Sequence, residues 1–312
     1  MDVSEPWGGQ LRFRGPAVGS IMALSAGLVW SFGAVTARLA DGSDAFQYLM
    51  WRSVGIIVVI EGWRVVRRLP SHTVTAFTSG NRMLVANVCL LAASIGFIYA
   101  VKTTSAATAA FLGSTTPLFG VLTSRVFLGE RADRRTLSAI ALAFVGLYIM
   151  VSQNLDGGDA LGNLAAIGSA VGFAAYTTVV RSAPHRDWAP VMPGYGVLMI
   201  VICSITIASN GTEFVPPVAD IGWALLHGGL FIVAGTTLYN GASKNVPASA
   251  MTVFAQSEMV LVPVWAFLVL AERPSAPTLI GGSIIMVAVL GKAMLDVGRE
   301  STRVRPRVSV PT

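Results

Sequence analysis

The chain has 312 residues, of which 54% are hydrophobic and 12% are charged. A soluble domain carries about 25% charged residues, so this chain cannot cover a water-facing surface, and most of its surface must face lipid. The formal net charge of +6 does not indicate a nucleic acid partner. The Lys and Arg residues instead occupy short gaps between apolar runs, as they do in cytoplasmic loops.

The segment that precedes the first apolar run is polar and contains Arg12 and Arg14. That run is long enough to span a bilayer, whereas the apolar core of a cleavable signal peptide is shorter. Residues 1–16 are therefore predicted to be a cytoplasmic N-terminal tail. Residues 296–312 are basic, and we expect them to form a cytoplasmic C-terminal tail, disordered from Arg299, that attracts anionic lipid.

Ten apolar runs lie between the tails, and a bilayer core needs about 20 apolar residues per helix. The fifth run is the shortest. The predicted spans are Ala17–Ala37, Phe46–Trp63, Met83–Val101, Ala106–Val126, Leu137–Val151, Leu161–Val180, Val191–Ala208, Ile221–Ala242, Ala248–Leu270 and Thr278–Leu295. Pro117 and Pro263 fall inside spans, where they mark kinks. The sequence thus predicts an all-α integral membrane protein with ten transmembrane helices.

The basic residues favour one side of the membrane. With the N-terminus inside, most Lys and Arg residues fall in cytoplasmic segments, and the external segments hold mainly acids. These external acids are Asp41, Asp44, Asp156, Asp159, Glu213 and Asp220. An even number of spans then places both termini in the cytoplasm. Arg-rich, Lys-poor usage fits a multi-pass protein of a bacterial inner membrane.

The two halves of the chain, residues 17–152 and 161–295, match each other at a nearly constant offset, which predicts a duplication. Residues 142 or 143 positions apart agree: Phe127-Leu-Gly-Glu-Arg131 with Val269-Leu-Ala-Glu-Arg273, Gly19 with Gly162, Ala23 with Ala166, and Arg38 with Arg181. Each predicted copy has five spans, an odd number, so the second copy must be inverted relative to the first. Inverted repeats are a recurrent transporter device and place the substrate site near the bilayer midplane.

Several short motifs together resemble the tandem EamA-domain group of the drug/metabolite transporter superfamily, over the chain from Ala17 to Leu295. They are Gly-Leu-Val-Trp-Ser-Phe-Gly at 27–33, Arg52, Thr-Ser-Ala-Ala-Thr-Ala-Ala at 104–110, Pro117, and Leu-Gly-Glu at 128–130. The resemblance implies ten helices arranged as two inverted five-helix repeats around a central cavity. It also implies export, or less often uptake, of amino acids or other small metabolites.

The chain departs from this group in one place. The group often has Glu-Pro in the ninth span, whereas Glu258 here precedes Met259, and Pro263 follows about one turn on. Small four-helix members of the superfamily use a membrane-embedded Glu in their first helix. The first span of this chain has no acid, so that proton-exchange chemistry does not carry over.

Glu258 lies midway along the ninth span, where a carboxyl group is costly and should face the bundle interior or a water-filled cavity. It is a candidate proton carrier or cation partner, and the alternative is an interhelical hydrogen bond to a Ser, a Thr or a carbonyl. Its repeat-equivalent position is Thr116, which is polar but not ionisable. Gln256 lies about 200° from Glu258 around a helix, and a helix–helix hydrogen bond is favoured for it.

Aromatic and hydroxyl side chains lie at similar depths in two repeat-equivalent spans. Trp30 and Ser31 belong to the first span, and Phe173 and Tyr176 belong to the sixth. Inward-facing aromatic rings can stack on an aromatic or cationic ligand. For any single one of them, lipid contact or packing is favoured over a ligand role.

The remaining candidates lie nearer the span ends. Tyr99, Tyr239 and Asn240 end the third and eighth spans, where Tyr is usually an interfacial anchor and a cavity role is the alternative. His227 in the eighth span titrates near neutral pH in water, but the sequence identifies no partner for it. Arg52 lies near the external end of the second span, where a structural salt bridge or a headgroup contact is predicted.

Glu130 and Glu272 follow the fourth and ninth spans at equivalent positions and are predicted to cap or to pair at the interface. The sequence has neither a Cys/His metal cluster nor a Gly-rich phosphate loop, which argues against an enzyme. These patterns favour a secondary transporter that works by alternating access, with a small-molecule substrate, the bilayer and protons as candidate partners and with no cofactor or metal. A passive or uptake carrier, a membrane-embedded enzyme and a lipid-handling protein stay open, as do a monomer and a homodimer.

Overall fold

The computed structural model describes residues 16–103, 111–151, 160–270 and 275–303, and these residues are helical apart from short connections. Outside the described residues lie the motif at 104–110, Glu272 and Arg273. Of the two predicted tails, the structure describes Pro16 and residues 296–303. The helices of the first half are α1 (Pro16–Leu39), α2 (Ala45–Val66), the short α3 (His72–Thr78), α4 (Asn81–Thr103), α5 (Thr116–Leu128) and α6 (Arg134–Val151).

The second half begins with two long helices and continues with helices that are interrupted. The helices are α7 (Ala160–Ser182), α8 (Val191–Asn210), α9 (Val218–Leu226), a π-helical segment (His227–Ile232), α10 (Val233–Ala242), α11 (Ala248–Ala255), α12 (Ser257–Leu270) and α13 (Ala276–Arg303). The last helix extends past Leu295 into the predicted C-terminal tail, because no proline interrupts the sequence before Pro306.

Five helical segments of the described chain are long and apolar enough to cross a membrane. They are Ala17–Leu39, Asn81–Ala100, Ala160–Ser182, Val191–Asn210 and Val218–Ala242, with Leu279–Leu295 as a shorter apolar helix. Large apolar side chains cover the outside of the bundle: Val58, Leu122 and Ile205 are each more than half exposed. Such a surface is stable in lipid and costly in water.

Local sequence signals set several helix ends. The Asp44 carboxylate accepts hydrogen bonds from the backbone N–H groups of Phe46 and Gln47, and the Gln47 side chain accepts one from the Asp44 N–H, which forms a capping box at the start of α2. Gly129 and Gly211 end α5 and α8 with positive φ values of 65° and 67°. Glycine adopts this left-handed conformation without the steric cost that other residues pay.

Two helices at equivalent positions of the halves are interrupted. A turn at Ser114 and Thr115 precedes α5, with Pro117 in the first turn, and a turn at Gln256 separates α11 from α12. Ser114 and Gln256 are 142 positions apart, the offset of the repeat. The turn at Gln256 lies about two turns before Pro263, and α12 continues through that proline.

The main contacts between helices of the two halves are symmetric: replacing each helix by its counterpart gives an equivalent contact. Helix α1 packs on α10 and α12, and its counterpart α7 packs on α4 and α5. The counterparts α2 and α8 contact each other, as do α6 and α13. Single residues repeat the pattern: a Cβ on Gly19 would collide with Asn245 and Val246, and a Cβ on Gly162 would collide with Thr103. The packing thus follows the sequence repeat.

Candidate functional site

Four aromatic rings from three helices meet at the centre of the bundle. Trp30 of α1 lies 5.1 Å from Tyr239 of α10 and 5.8 Å from Phe173 of α7, measured between ring centroids. Phe173 lies 5.4 Å from Tyr239 and 6.0 Å from Tyr176. These distances are those of favourable aromatic pairs. We name these four residues the central aromatic cluster; Trp30 and Phe173 are 143 positions apart in the sequence.

Each tyrosine of the central aromatic cluster has a hydrogen-bond partner on the facing helix. The Tyr176 hydroxyl donates to Asn240 Oδ1 at 2.5 Å, and the Tyr239 hydroxyl lies 2.9 Å from Thr177 Oγ1. Both tyrosines are fully buried. Asn240 is also buried, and its Nδ2 has no hydrogen-bond partner. An unpaired buried donor is costly, so this amide group is the polar position of the cluster that is open to a ligand or a water molecule.

A glycine and a hydroxyl group fix the position of α1 at this centre. A Cβ on Gly235 of α10 would collide with the indole of Trp30, so only glycine allows the indole to lie there. Ser31, which follows Trp30 in α1, is fully buried. Its Oγ donates to the Leu28 carbonyl at 2.6 Å and accepts a hydrogen bond from Trp265 Nε1 at 2.7 Å. Ser31 therefore ties α1 to α12.

The interrupted helices meet beside a small cavity. Ser114 and Gln256, the residues of the two turns, line it together with apolar side chains that include Phe144 and Val253. It has room for about one water molecule. The Ser114 hydroxyl is buried and has no hydrogen-bond partner, so a water molecule in the cavity would satisfy it. Gln256 thus faces a cavity, whereas the sequence favoured a helix–helix hydrogen bond.

Glu258 and Thr116 occupy the first turns of α12 and α5, directly after the two interruptions. Thr116 is buried, and its hydroxyl donates to the Gly113 carbonyl at 2.7 Å. Glu258 is partly exposed, and within the described residues no hydrogen bond joins its carboxyl group to another side chain. A Cβ on Gly27 of α1 would collide with the Ser257 hydroxyl and lie 3.2 Å from the Glu258 N–H. The backbone of Glu258, the second residue of α12, therefore lies close to α1.

A second polar group lies among α1, α2 and the π-helical segment. The Tyr48 hydroxyl is 2.8 Å from His227 Nδ1 and donates to Thr36 Oγ1 at 3.1 Å. All three side chains are buried. A Cβ on Gly33 would lie 2.5 Å from His227 Nε2, so the glycine leaves room for the Nε2 edge of the imidazole against α1. His227, for which the sequence identified no partner, thus has Tyr48.

Arg52 lies beside this group and is 6% exposed. Its Nη2 donates to Ser94 Oγ of α4 at 2.7 Å, and its Nε has no hydrogen-bond partner. The Tyr195 hydroxyl of α8 also lies next to the guanidinium group. The predicted salt bridge does not form with any described acid, and burial leaves little of the side chain accessible for the predicted headgroup contact. We call Tyr48, Arg52, Ser94, Tyr195 and His227 the Arg52 cluster.

The other candidates lie outside both groups. Glu130 pairs with Arg181 at 2.8 Å and accepts a hydrogen bond from the Ala248 N–H at the start of α11, which confirms its predicted pairing and capping. Tyr99 is partly buried, and no ring contact joins it to another described residue. The described residues contain no group of three or more His, Cys, Asp or Glu side chains that could hold a metal ion.

The structure brings together Trp30, Tyr176, Tyr239 and Asn240. The sequence favoured a packing or interfacial role for each of them and did not predict that they meet. Tyr239 in particular is fully buried, so the interfacial position predicted for it is wrong. Sequence reasoning missed Thr177, Tyr48 and Tyr195 as partners in the two groups. One signal was available for Tyr195, which lies 143 positions after Arg52, at the repeat offset.

Comparison with known proteins identifies the family. The EamA-like transporter family matches residues 17–152 and again residues 160–292. A pseudopaline exporter, CntI of Pseudomonas aeruginosa, is 26% identical over 197 residues, which are 62% of this chain and 68% of the exporter. An uncharacterized transporter of Bacillus subtilis, YetK, is 27% identical over 57% of each chain, so the match spans little more than half of that relative.

A solved crystal structure has the same fold. It superposes with a TM-score of 0.73 over 90% of this chain and 98% of the other, at 18% sequence identity. Two successive matches to one transporter family account for the tandem repeat and imply a multi-pass membrane protein, and the family is not an enzyme family. The chain belongs to the EamA-like transporter family.

Proposed function

We propose that this protein is a secondary transporter that moves small metabolites, amino acids or related compounds, by alternating access, in the direction of export. The observation that carries the proposal is the exchange of helix contacts between the halves, in which α1 packs on α10 as α7 packs on α4. Two copies that pack equivalently provide two arrangements of similar energy, one open to each side.

The same observation supports ten membrane crossings in two inverted repeats, 17–152 and 161–295. Every predicted span is helical at its described positions, apart from the turns at Ser114, Thr115 and Gln256. Interrupted helices are a common feature of transporter sites near the bilayer midplane. The central aromatic cluster lies between the halves, and there its rings close the pathway. In this proposal, rocking of the halves separates Trp30 from Tyr239 and opens a central cavity.

The direction and the compound class have separate support. The relative from Pseudomonas aeruginosa is an exporter of pseudopaline, which favours outward transport. The apolar walls, aromatic rings and few polar groups at the centre are typical of a site for a small molecule. A cell membrane location with both termini in the cytoplasm is part of the proposal and follows from the Lys and Arg distribution.

Purified protein in liposomes tests this function. We expect flux of at least one amino acid or related metabolite down an imposed gradient, absent from protein-free liposomes. A screen for resistance or uptake in cells that overproduce the protein would supply the candidate compounds. If no solute crosses under any gradient, the transporter proposal fails. Flux without any proton dependence would instead support the passive carrier.

Glu258 is the proposed proton carrier, because its carboxyl group is near the middle of the ninth span and makes no hydrogen bond within the described residues. The substitution Glu258→Gln should lower proton-driven flux at least about tenfold, since catalysis by a positioned proton donor is typically worth more than that. The control is Glu213→Gln, which removes a carboxylate from an exposed residue. Unchanged flux with an unchanged pH profile would remove Glu258 from the mechanism.

A further inference from the structure

The positive charge of Arg52 lies within the protein and not at its surface. Arg52 follows the start of α2 at Ala45 by about two turns, or ~10 Å along the helix, and 6% of the residue is exposed. A Cβ on Gly228 would overlap the Arg52 carbonyl oxygen, so the π-helical segment packs directly against α2 at this point. A headgroup in the bilayer therefore has little access to the guanidinium group.

The described partners of this guanidinium group are all neutral. Nη2 donates to Ser94 Oγ at 2.7 Å, the Tyr195 hydroxyl lies beside the group, and Nε donates to nothing. The Asp44 carboxylate accepts the hydrogen bonds that cap α2. Asp220 is buried, with one oxygen unpartnered, and it forms no ion pair with Arg52. Across the described chain, no carboxylate balances this charge.

A guanidinium group remains ionised at every accessible pH. Burial of a charge without a counter-charge costs several kcal/mol, and an ionisable residue inside a membrane bundle is by default a functional candidate. An anion at the free Nε would supply the missing counter-charge. The fork of Nε and Nη matches two oxygens of one planar group, which strengthens such a pair beyond a single hydrogen bond.

We propose that Arg52, together with the hydroxyl groups of Ser94 and Tyr195, binds a carboxylate group of the transported compound. Arg52 carries the one permanent positive charge among the five residues of the Arg52 cluster. A single carboxylate therefore balances the charge, whereas a phosphate dianion would need a second cation. The inference rests on the proposed function, since the carboxylate belongs to the compound that the protein transports.

A binding test compares how acids and their amides affect the stability of the protein. The unfolding temperature of the purified protein in detergent is measured with L-amino acids, with the corresponding C-terminal amides and with inorganic phosphate. We expect one or more acids to raise the unfolding temperature and their amides, which lack the charge, to leave it unchanged. This comparison uses the unsubstituted protein, so it does not depend on whether a variant folds. If acids and amides behave alike, or if only phosphate stabilises, the inference is wrong.

Substitutions then locate the effect. Arg52→Gln should raise the concentration that gives half-maximal stabilisation by about thirtyfold or more, the fold-change expected for truncating one partner of a buried charge pair. Arg52→Lys keeps the charge without the fork and should raise it less. Arg67→Gln removes an exposed arginine at the end of the same helix and should change nothing. If acids stabilise the Arg52→Gln protein with the same half-maximal concentration as the unsubstituted protein, the inference is contradicted.

Flux measured in liposomes separates this inference from the proposed function. Flux that prefers neither acids nor amides would leave the transporter intact and overturn the role of Arg52. Acid-specific stabilisation without flux would support the carboxylate site and count against transport.

Discussion

The central aromatic cluster and the Arg52 cluster are both buried between helices, yet their polar groups are satisfied differently. In the centre, the hydroxyl groups of Tyr176 and Tyr239 each have a partner within the chain. In the Arg52 cluster, a permanent charge has only neutral partners and one open donor. The first region is uncharged and leaves a single neutral group, Asn240 Nδ2, without a partner, whereas the second holds a charge that lacks a counter-charge.

This difference suggests a division of labour. The central aromatic cluster joins α1, α7 and α10 across the two halves, so in the proposed transport cycle its contacts break and re-form when the pathway opens. Neutral rings and single hydrogen bonds suit such a closure, because each is worth about 1 kcal/mol. The Arg52 cluster is held by a close approach of backbone to backbone, which suits a fixed binding group.

The largest expected effect tests that fixed geometry. Gly228→Ala places a Cβ on the Arg52 carbonyl oxygen and should destabilise the protein by about 3 kcal/mol, the upper end of the usual cost of overpacking. The yield of monodisperse protein and its unfolding temperature measure the loss. Gly222→Ala, in the neighbouring helix with nothing near the added Cβ, is the control and should be neutral or stabilising. Equal unfolding temperatures of the two variants would contradict the close packing of Gly228 against α2.

A smaller effect is expected at the centre. Tyr176→Phe leaves Asn240 without its one side-chain partner and should lower the free energy of unfolding by about 1 kcal/mol, whereas Tyr239→Phe should cost less. The reason is that Thr177 keeps its bond to the Phe173 carbonyl when the Tyr239 hydroxyl is removed. Denaturation of both variants in detergent ranks them. The reverse order would contradict the hydrogen-bond assignment.

The smallest effect concerns a histidine beside an arginine outside the predicted spans, which contrasts with the buried Arg52. His72 lies 3.1 Å from Arg64 Nη1, and burial, followed by the charge of Arg64, holds the pKa of His72 below its usual 6.5. The unfolded chain therefore binds a proton first as the pH falls below about 6.5, and the stability of the folded state declines from there towards the lowered pKa. His72→Gln should flatten the dependence of the unfolding temperature on pH in this range. An unaltered pH profile would exclude His72 as a contributor.

The sequence predicted the helices well, because a membrane span must be long, apolar and helical to satisfy its own backbone. The sequence also placed Trp30 and Phe173 at a similar depth of their spans. The interruption of the ninth span was not predicted, since proline inside a span marks where a helix can bend but not where neighbouring helices require a turn. The turn formed at Gln256, opposite Ser114 of the other half.

The partners of the site residues could not be predicted. His227 meets Tyr48 across 179 residues of chain, and Tyr176 meets Asn240 across 64, so only the packing of the halves joins them. Hydropathy gives the depth of a side chain in the membrane but not the helix that covers it. For that reason Tyr239 was predicted at an interface and is fully buried. Arg52 was expected to form a salt bridge or a headgroup contact, and the described structure provides no acid partner for it.

Labelling of single cysteines tests the inverted repeat most directly. Positions 41 and 184 are equivalent in the two halves, being 143 residues apart, and both lie outside the long helices. In a protein without Cys89 and Cys203, Asp41→Cys and Pro184→Cys would be treated in intact cells with a maleimide that cannot cross the membrane. We expect residue 41 to be labelled from outside and residue 184 only after the cells are opened. Labelling of both positions from the same side would contradict the account.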